Sequence, residues 1–486
     1  MLVPVTVMLA IGLWGLDRGG MWRDEAVTFQ VARRSVPQIW QLLHSVDAVH
    51  GLYYLLMHLV LAPHPGEVAL RLPSVCGAAA TAGLVAALGV RLCRPRTGLW
   101  AGLLYAVTPM AGHFAQEGRS YALVAAGVAG ATLLLVRAVR AERTRSWWAY
   151  GGTVAVTCLL HEFAVLVLLA HAATLALTRV PRRVWRGWGC AAGAAVLLLL
   201  PLALVSQEQS AQVAWLSVPG LGSADRLLRT FTGQRQLVFV PYLVLLALAL
   251  RRPLARRGEL TLTSVALPLM LVPPAVLITV SRFWPLYDER YVLYALAGAP
   301  LLAAAGAERL VAMVPRPAVN SLTGVLAIAL VFVWQLPLLK QDRTLDRRPD
   351  NLAAVSAVAG RELRPGDPVL FLPSIVRRSA LAYPNGFRGV RDVALRKPGP
   401  VSGTLYGQET DPAELRRRLD RLDRVWVVAE PFALRPAWYP GSATEQVKLT
   451  VVGEEFVPRE EVARRGVTLR LYVRRPPTRF MDWAAD

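Results

Sequence analysis

The chain has 486 residues, of which 54% are hydrophobic, and its mean hydropathy is +0.40. Its 54 basic and 33 acidic residues give a formal net charge of +21, yet only Lys340, Lys397 and Lys448 are lysines. The arginines gather at the ends of apolar segments rather than in one patch, which argues against nucleic-acid binding. We therefore expect no nucleic acid among its partners.

The apolar residues form runs long enough to cross a membrane. The first, MLVPVTVMLAIGLWGL, lacks the basic start and small-residue cleavage site of a signal peptide, so we interpret it as a retained span. Further apolar stretches alternate with arginine-rich or polar breaks, as expected for helices crossing a hydrocarbon layer about 30 Å thick. We predict eleven spans, at 2–17, 68–90, 98–113, 120–137, 147–162, 163–178, 188–206, 236–250, 260–281, 290–307 and 320–339.

The distribution of arginine predicts the orientation of these spans. If the N-terminus is cytoplasmic, seventeen arginines fall in the inner loops 91–97, 137–146, 179–187, 251–257 and 308–317. Such an excess marks the cytoplasmic side of a multi-pass protein. The outer segments are then 18–67, 114–119, 207–235, 282–289 and everything after 340. We predict a plasma-membrane location with a cytoplasmic N-terminus.

Two regions outside the spans have their own patterns. In the long first outer loop, 18–67, the runs SVPQIWQLLH and GLYYLLMHLVLAP are too short to span and are typical of membrane-surface helices. After residue 340, short apolar runs such as PVLFLP and RVWVVAE alternate with helical patterns such as DPAELRRRLDRL. We therefore predict a membrane module at 1–340 and a small extracytoplasmic α/β domain at 341–486.

Polar residues converge on the predicted outer face. Acids and arginines repeated at one membrane boundary favour a polar cavity there, although solvated helix ends are the alternative. A partly shielded carboxylate can act as a general base towards an attacking hydroxyl. The candidates in the outer segments or at the adjoining span ends are Asp24, Glu25, Asp47, His50, Tyr53, Glu117, Arg119, His161, Arg282, Arg290 and Tyr291.

The spacing of these residues suggests distinct roles. Asp24 and Glu25 are neighbours, so their side chains point in different directions, and one faces the site while the other contacts a backbone or arginine partner. Asp47 and His50 would share a helix face, unless His50 is a loop histidine in water. Arg119 and Arg290 can grip a phosphate with a planar guanidinium, whereas a structural salt bridge of Arg290 is the alternative.

The ordered segments MWRDEAVTF, HGLYYLLMHL, ALRLPSV, AQEGRSYAL, LLHEFAVL and YDERYVLY resemble bacterial members of the protein O-mannosyltransferase superfamily. These are family 39 glycosyltransferases of the GT-C type. The resemblance covers roughly residues 20–310, and the C-terminal domain also resembles the outer domain of relatives. There are two departures from the pattern of many relatives: Gly51 and Leu52 stand where they have a proline pair, and Ser120 stands where several have a bulky residue.

The resemblance implies an enzyme that transfers a sugar from a polyprenyl monophosphate to a hydroxyl outside the membrane, with inversion. Asp24 corresponds to the family's base, Glu117 to an acid that helps form the site, and Arg290 to a candidate for binding the lipid phosphate. Glu25, Arg119, Tyr291 and Arg282 complete the expected catalytic and phosphate-binding set, with Asp47, His50, Tyr53 and His161 in support. Mannose is the expected sugar on family grounds.

Two other functions are consistent with the same spans. A transporter or lipid flippase would place ionisable groups near the bilayer midplane, often in two related halves, but most predicted spans carry no internal charge. A catalytically inactive lipid-binding scaffold would differ only in turnover. No cofactor is expected, since no metal-ligand cluster is apparent, although a divalent ion is left open. The expected partners are membrane lipid, the sugar donor, and a hydroxyl-bearing glycolipid, protein, polymer or small product.

Overall fold

The computed structural model describes residues 1–141, 144–251, 258–311, 317–344, 350–435, 437–464 and 467–476. Parts of three predicted inner loops, including Arg252, Arg256 and Arg257, lie outside this set. The α-helices are α1 Leu2–Leu13, α2 Arg23–Ala32, α3 Val36–Leu43, α4 Gly51–Leu61, α5 Glu67–Leu92, α6 Pro95–Val107, α7 Pro109–Ala115, α8 Tyr121–Ala141, α9 Thr144–Leu160, α10 Val167–Leu177, α11 Arg182–Glu208, α12 Leu221–Thr232, α13 Gln236–Leu250, α14 Leu262–Val280, α15 Gly298–Val311, α16 Pro317–Asp342, α17 Leu352–Glu362, α18 Arg378–Ala382, α19 Gly399–Ser402, α20 Pro412–Asp420 and α21 Ala443–Glu455. The strands are β1 Pro368–Leu372, β2 Arg391–Asp392, β3 Leu395–Lys397, β4 Gln408–Glu409, β5 Arg424–Ala429, β6 Phe456–Arg464 and β7 Val467–Arg474.

The chain divides into two compact units. The membrane unit consists of Met1–Arg18 and Leu43–Thr344. The C-terminal unit consists of Gly19–Leu42 and Leu345–Asp486. The later division lies close to the predicted boundary at 340. Residues 19–42, which we expected to belong to the first outer loop of the membrane module, group with the C-terminal unit instead.

Each of the eleven predicted spans contains a helix in the membrane unit. Within the described residues, six helices are long and apolar enough to cross a membrane, or seven if α12 and α13, bent by 88°, form one span. Some predicted spans are interrupted: Thr108 separates α6 from α7, because the following Pro109 has no amide hydrogen to continue the helix. The polytopic helical class is confirmed, and the number of crossings stays a prediction.

Small residues let the helices of the membrane unit approach closely. A Cβ atom added to Gly89 of α5 would lie 2.6 Å from the Cα atom of Gly98 in α6. One added to Gly306 of α15 would meet the main chain of Leu245 in α13. Such contacts replace hydrophobic burial as the source of helix association in lipid.

The C-terminal unit contains a five-stranded sheet in the order β2-β1-β5-β7-β6. Strand β1 is parallel to β2 and β5, whereas β7 is antiparallel to β5 and β6. The runs VLFL and VWVVA are buried in β1 and β5, which explains their continuous apolar character. Asp411 caps α20 by accepting from the amide of Glu414 at 2.9 Å. The predicted α/β character is confirmed.

Candidate functional site

A tight turn before α4 positions His50. Asp47 adopts the left-handed conformation with φ 59°, and a single 3-10 turn, Ala48–His50, follows it. The Asp47 carboxylate accepts a hydrogen bond of 2.7 Å from the Tyr54 hydroxyl. The prediction that Asp47 and His50 share a helix face is therefore wrong, because the turn places Asp47 before the helix begins.

Two glutamines that follow α11 hold this turn through its main chain. The side chain of Gln209 accepts from the amide of Ala48 at 3.0 Å and donates to the carbonyl of Leu43 at 2.9 Å. The side chain of Gln212 accepts from the amide of Asp47 at 3.2 Å. Main-chain groups that are shielded from water need hydrogen-bond partners. The side-chain amides of the two glutamines therefore fix the main chain that leads to His50. Neither glutamine was predicted from the sequence.

The segment between α7 and α8 presents Arg119. The Ser74 hydroxyl of α5 donates to the main-chain oxygens of Glu117 at 2.6 Å and Arg119 at 3.0 Å. Nη2 of Arg119 lies 2.5 Å from Nε2 of His50, and both side chains are buried. A guanidinium is only a donor, so Nε2 accepts and His50 is a neutral imidazole with its proton on Nδ1.

Aromatic rings connect these residues to Arg290. The His161 ring centroid lies 5.9 Å from that of His50, 5.5 Å from Tyr121 and 4.9 Å from Tyr291. Cζ of Arg290 lies 5.7 Å from the Tyr121 ring centroid and 5.6 Å from that of Tyr291. We call the set the arginine–aromatic cluster, consisting of His50, Arg119, Tyr121, His161, Phe163, Trp215, Arg290 and Tyr291.

Four residues of the cluster are buried, namely His50, Arg119, Tyr121 and His161, whereas Trp215 at its edge is 63% exposed. Burial, and then the charge of Arg119, lower the pKa of His50 well below its usual value, so that it stays neutral near pH 7. Within the described ranges, Nδ1 of His50, Oε1 of Glu117 and Oγ of Ser120 are buried without a hydrogen-bond partner in the protein. Buried polar atoms of this kind are rare in proteins unless they bind a ligand or water.

A structural salt bridge, which is the alternative role of Arg290, also has a basis in the structure. Its Nε atom lies 3.6 Å from the Asp288 carboxylate, while Glu289 lies 3.5 Å from Arg226. Arg290 is thus held by an acid on one side and by aromatic rings on others. Arg282 is exposed and donates instead to the main-chain oxygen of Pro219 at 3.0 Å, away from these contacts. Tyr53 is fully buried.

Glu117 contacts His113, which was not predicted from the sequence to belong to the site. Its Oε2 atom lies 3.5 Å from Nε2 of His113, one helical turn earlier. Nδ1 of His113 lies 2.9 Å from both carboxylate oxygens of Asp342, at the end of α16. Neither His113 nor Asp342 belongs to a recognisable motif, and no spacing in the sequence connects them.

Asp24 and Glu25 belong to the C-terminal unit, in the first turn of α2. Glu25 is fully buried, whereas Asp24 is partly exposed, so the two carboxylates differ in environment as expected. The buried carboxylate of Asp350 accepts from the Arg23 amide at 3.0 Å and from its guanidinium at 3.1 Å. This carboxylate caps α2 and fixes the start of the helix.

Among the described residues, no group of three or more His, Cys, Asp or Glu side chains is arranged to hold a metal ion. Metal-independent chemistry remains a prediction.

Comparison with known proteins shows which solved structures have a similar fold. Residues 51–206 match the family model described as dolichyl-phosphate-mannose-protein mannosyltransferase. ArnT from Cupriavidus metallidurans in the apo state is 13% identical, with 97% of each chain covered and a TM-score of 0.59. The same protein bound to undecaprenyl phosphate has the same identity and coverage and a TM-score of 0.58. No curated protein matches the chain significantly.

The chain has a GT-C glycosyltransferase fold. The predicted resemblance to this class of membrane protein is confirmed, and the structural similarity to ArnT covers 97% of each of the two chains. The family match includes Glu117, Arg119, Tyr121 and His161, but it does not reach Arg290. At 13% identity the structural likeness concerns the fold and assigns no role to individual residues.

Proposed function

We propose that this protein is a hexosyltransferase that transfers mannose from a polyprenyl phosphate carrier to a hydroxyl acceptor, with inversion. The observation that carries the proposal is the arginine–aromatic cluster, in which two arginines lie among a neutral histidine and several rings. Support for the carrier comes from ArnT, which shares the fold and has been solved with undecaprenyl phosphate. Support for mannose is the name of the matching family model.

The cluster suits a lipid phosphate for electrostatic reasons. The Arg290 guanidinium lies over the Tyr121 and Tyr291 rings, and a cation among rings can also attract an anion. Guanidinium groups bind phosphate in a bidentate manner, and such charge-assisted bonds are stronger than neutral ones. Burial makes the attraction greater than it would be in water. We propose that Arg119 and Arg290 bind the phosphate, with Tyr291 in the wall of the site.

The chemistry then needs few groups. A carboxylate removes the proton from the acceptor hydroxyl, whose oxygen attacks the anomeric carbon from the side opposite the phosphate. The bond from that carbon to the phosphate oxygen breaks, and the arginines stabilise the charge on the departing polyprenyl phosphate. We assign the base to Asp24 from the resemblance of MWRDEAVTF, with Glu25 as its support. Glu117 is assigned to the sugar-binding part of the site.

We also propose that the reaction occurs on the outer face of the plasma membrane, with the N-terminus cytoplasmic. The support is the excess of arginine in the predicted inner loops. The acceptor is a hydroxyl of a glycolipid, a protein, a polymer or a small product.

The proposal is tested by incubating purified protein with radiolabelled polyprenyl phosphosugars and membrane extract. We expect consumption of the mannose donor and transfer of label to an acceptor. Consumption of a donor that carries a different sugar would support glycosyltransferase activity and would replace mannose as the proposed sugar. If no donor is consumed, the inactive scaffold or the transporter becomes the better explanation.

The assignment of the base has its own test. We expect Asp24→Asn to lower turnover by about 10³-fold, as loss of a general base typically does, with unchanged thermal stability in detergent. Asp420→Asn is the matched control, because Asp420 is an exposed aspartate of the same unit. Turnover by Asp24→Asn at the wild-type rate would remove Asp24 from the mechanism.

A further inference from the structure

Asp342, His113 and Glu117 form a continuous chain of ionisable groups in the membrane unit. The His113 ring has a carboxylate on each nitrogen, Asp342 at 2.9 Å from Nδ1 and Glu117 at 3.5 Å from Nε2. The Glu117 and Asp342 side chains are 5% and 19% exposed, whereas that of His113 is 49% exposed. The histidine therefore connects a buried acid to a more accessible one.

The two carboxylates determine the protonation of the imidazole. A neutral imidazole has one N–H and one lone pair, so one of its nitrogens would direct a lone pair towards a negatively charged oxygen. An imidazolium donates from both nitrogens and satisfies both carboxylates. The geometry thus favours a positively charged His113 between two ionised acids.

Charged side chains on the elements packed against α7 have contacts of their own. Arg71 of α5 and Arg343 after α16 donate to main-chain oxygens between residues 11 and 18. On α12, Arg226 and Arg229 lie within ion-pair distance of carboxylates. The imidazole is therefore acted on mainly by Asp342 and Glu117.

Glu117 is also tied to the arginine–aromatic cluster. The amide of Arg119 donates to the carbonyl of Glu117 at 2.8 Å, so the two side chains leave the same short turn. The Phe114 ring lies 4.9 Å from the His113 ring and 5.7 Å from the Tyr121 ring, between centroids. His113 contacts only Oε2 of the Glu117 carboxylate. The other oxygen, Oε1, is buried and has no hydrogen-bond partner among the described residues.

We propose that Asp342 and His113 are positioning residues that keep Glu117 ionised, so that its second oxygen accepts a hydrogen bond from a hydroxyl of the donor sugar. An ionised carboxylate is an acceptor only, which matches the donor character of sugar hydroxyls. The identity of the sugar ligand rests on the proposed function. The ionised chain of Asp342, His113 and Glu117 does not depend on the proposed function. The charge state of this chain and its contact with a sugar can therefore be disproved separately.

The positive charge of His113 in this chain is tested by solid-state ¹⁵N spectra of histidine-labelled protein in lipid nanodiscs at pH 8. The chain has seven histidines, and ordinary ones are neutral at this pH because their pKa is about 6.5. We expect one imidazolium signal that disappears in His113→Gln and weakens in Asp342→Asn. The exposed His64→Gln is the matched control and should retain it. Absence of an imidazolium in the wild type, or its persistence in His113→Gln, would overturn the proposal.

The role towards the sugar is tested by binding of undecaprenyl phosphomannose and of undecaprenyl phosphate. We expect Asp342→Asn to weaken binding of the phosphomannose about 10-fold, as loss of one charge-assisted hydrogen bond does, and to leave binding of the phosphate unchanged. His113→Lys, which restores a cation, should recover part of the loss. Asp225→Asn, an exposed acid paired with Arg229, should bind both ligands like the wild type. Equal weakening of both ligands, or of neither, would contradict the sugar contact.

Discussion

The two units bury positive charge in different ways. In the C-terminal unit, Arg377 lies 2.6 Å from Asp392 and 2.8 Å from Glu409, and the fully buried Lys448 lies 2.7 Å from Glu409. In the membrane unit, Arg119 donates to the neutral imidazole of His50, and Arg290 packs against aromatic rings. Carboxylates are the main partners of the first kind of cation, whereas the second kind lies beside a neutral imidazole or aromatic rings, with Asp288 3.6 Å from Nε of Arg290.

This difference separates structural charges from functional ones. A buried cation between two acids has its charge compensated by the fold, and it contributes to stability only while all partners remain. A guanidinium that lies among rings can attract an anionic ligand as well, which is the role we propose for Arg119 and Arg290. The comparison predicts opposite consequences for substitutions in the two units, on stability in one and on binding in the other.

The largest effect on stability is expected for Arg377→Gln in the C-terminal unit. This change removes a buried cation shared by two carboxylates that are only 14% and 11% exposed, and breaking a buried pair typically costs about 3–5 kcal/mol of unfolding free energy. Denaturant unfolding monitored by tryptophan fluorescence measures it. The exposed Arg396→Gln is the control and should change little. Wild-type stability of Arg377→Gln would show that the carboxylate pairs are not structural.

Arg290→Gln should affect the donor rather than the fold. Loss of a bidentate phosphate contact costs about 2–3 kcal/mol, which corresponds to roughly a 100-fold fall in kcat/KM for the donor. Arg290→Lys should recover part of it, because an ammonium binds phosphate as a point charge. Arg186→Gln, an exposed arginine of a predicted inner loop, is the control. Destabilisation without a change in kcat/KM would assign Arg290 to the structure alone.

A smaller effect concerns pH. The pKa of His50 is lowered by burial and by Arg119, so below about pH 6.5 the unfolded chain binds a proton that the folded chain does not. Stability should therefore fall as the pH falls, by up to about 1.4 kcal/mol per pH unit from this group. His50→Gln should remove this part of the dependence, whereas the exposed His64→Gln should keep it. Thermal unfolding at pH 5.5 and 7.5 measures both, and identical slopes in all three proteins would contradict the assignment.

The sequence predicts the fold class because its signals are local. Apolar runs separated by arginines identify helices wherever they lie, and alternating strand and helix patterns identify the α/β unit. Arg119, His161 and Arg290 were also predictable, since each lies at or near the end of an apolar run. Spacing cannot show that the three converge around His50, because that depends on how distant helices pack.

Other features depend on contacts that no local pattern records. Asp47 was expected on a helix face, but it lies in a left-handed turn whose amides donate to Gln209 and Gln212, more than 150 residues away. The pairing of His113 with Asp342 spans 229 positions. Residues 19–42 look like part of an outer loop because they follow a span, yet the buried Asp350 caps the α2 helix within them.

Direct binding of undecaprenyl phosphate tests the central claim, that the arginine–aromatic cluster binds a lipid phosphate. Native mass spectrometry of purified wild type and of the double variant Arg119→Gln, Arg290→Gln should be compared with undecaprenyl phosphate and with undecaprenol, which lacks the phosphate. We expect the wild type to bind the phosphate in preference to the alcohol, and the double variant to lose that preference while remaining folded. Equal binding of the two lipids by the wild type, or an unchanged preference in the double variant, would contradict the account.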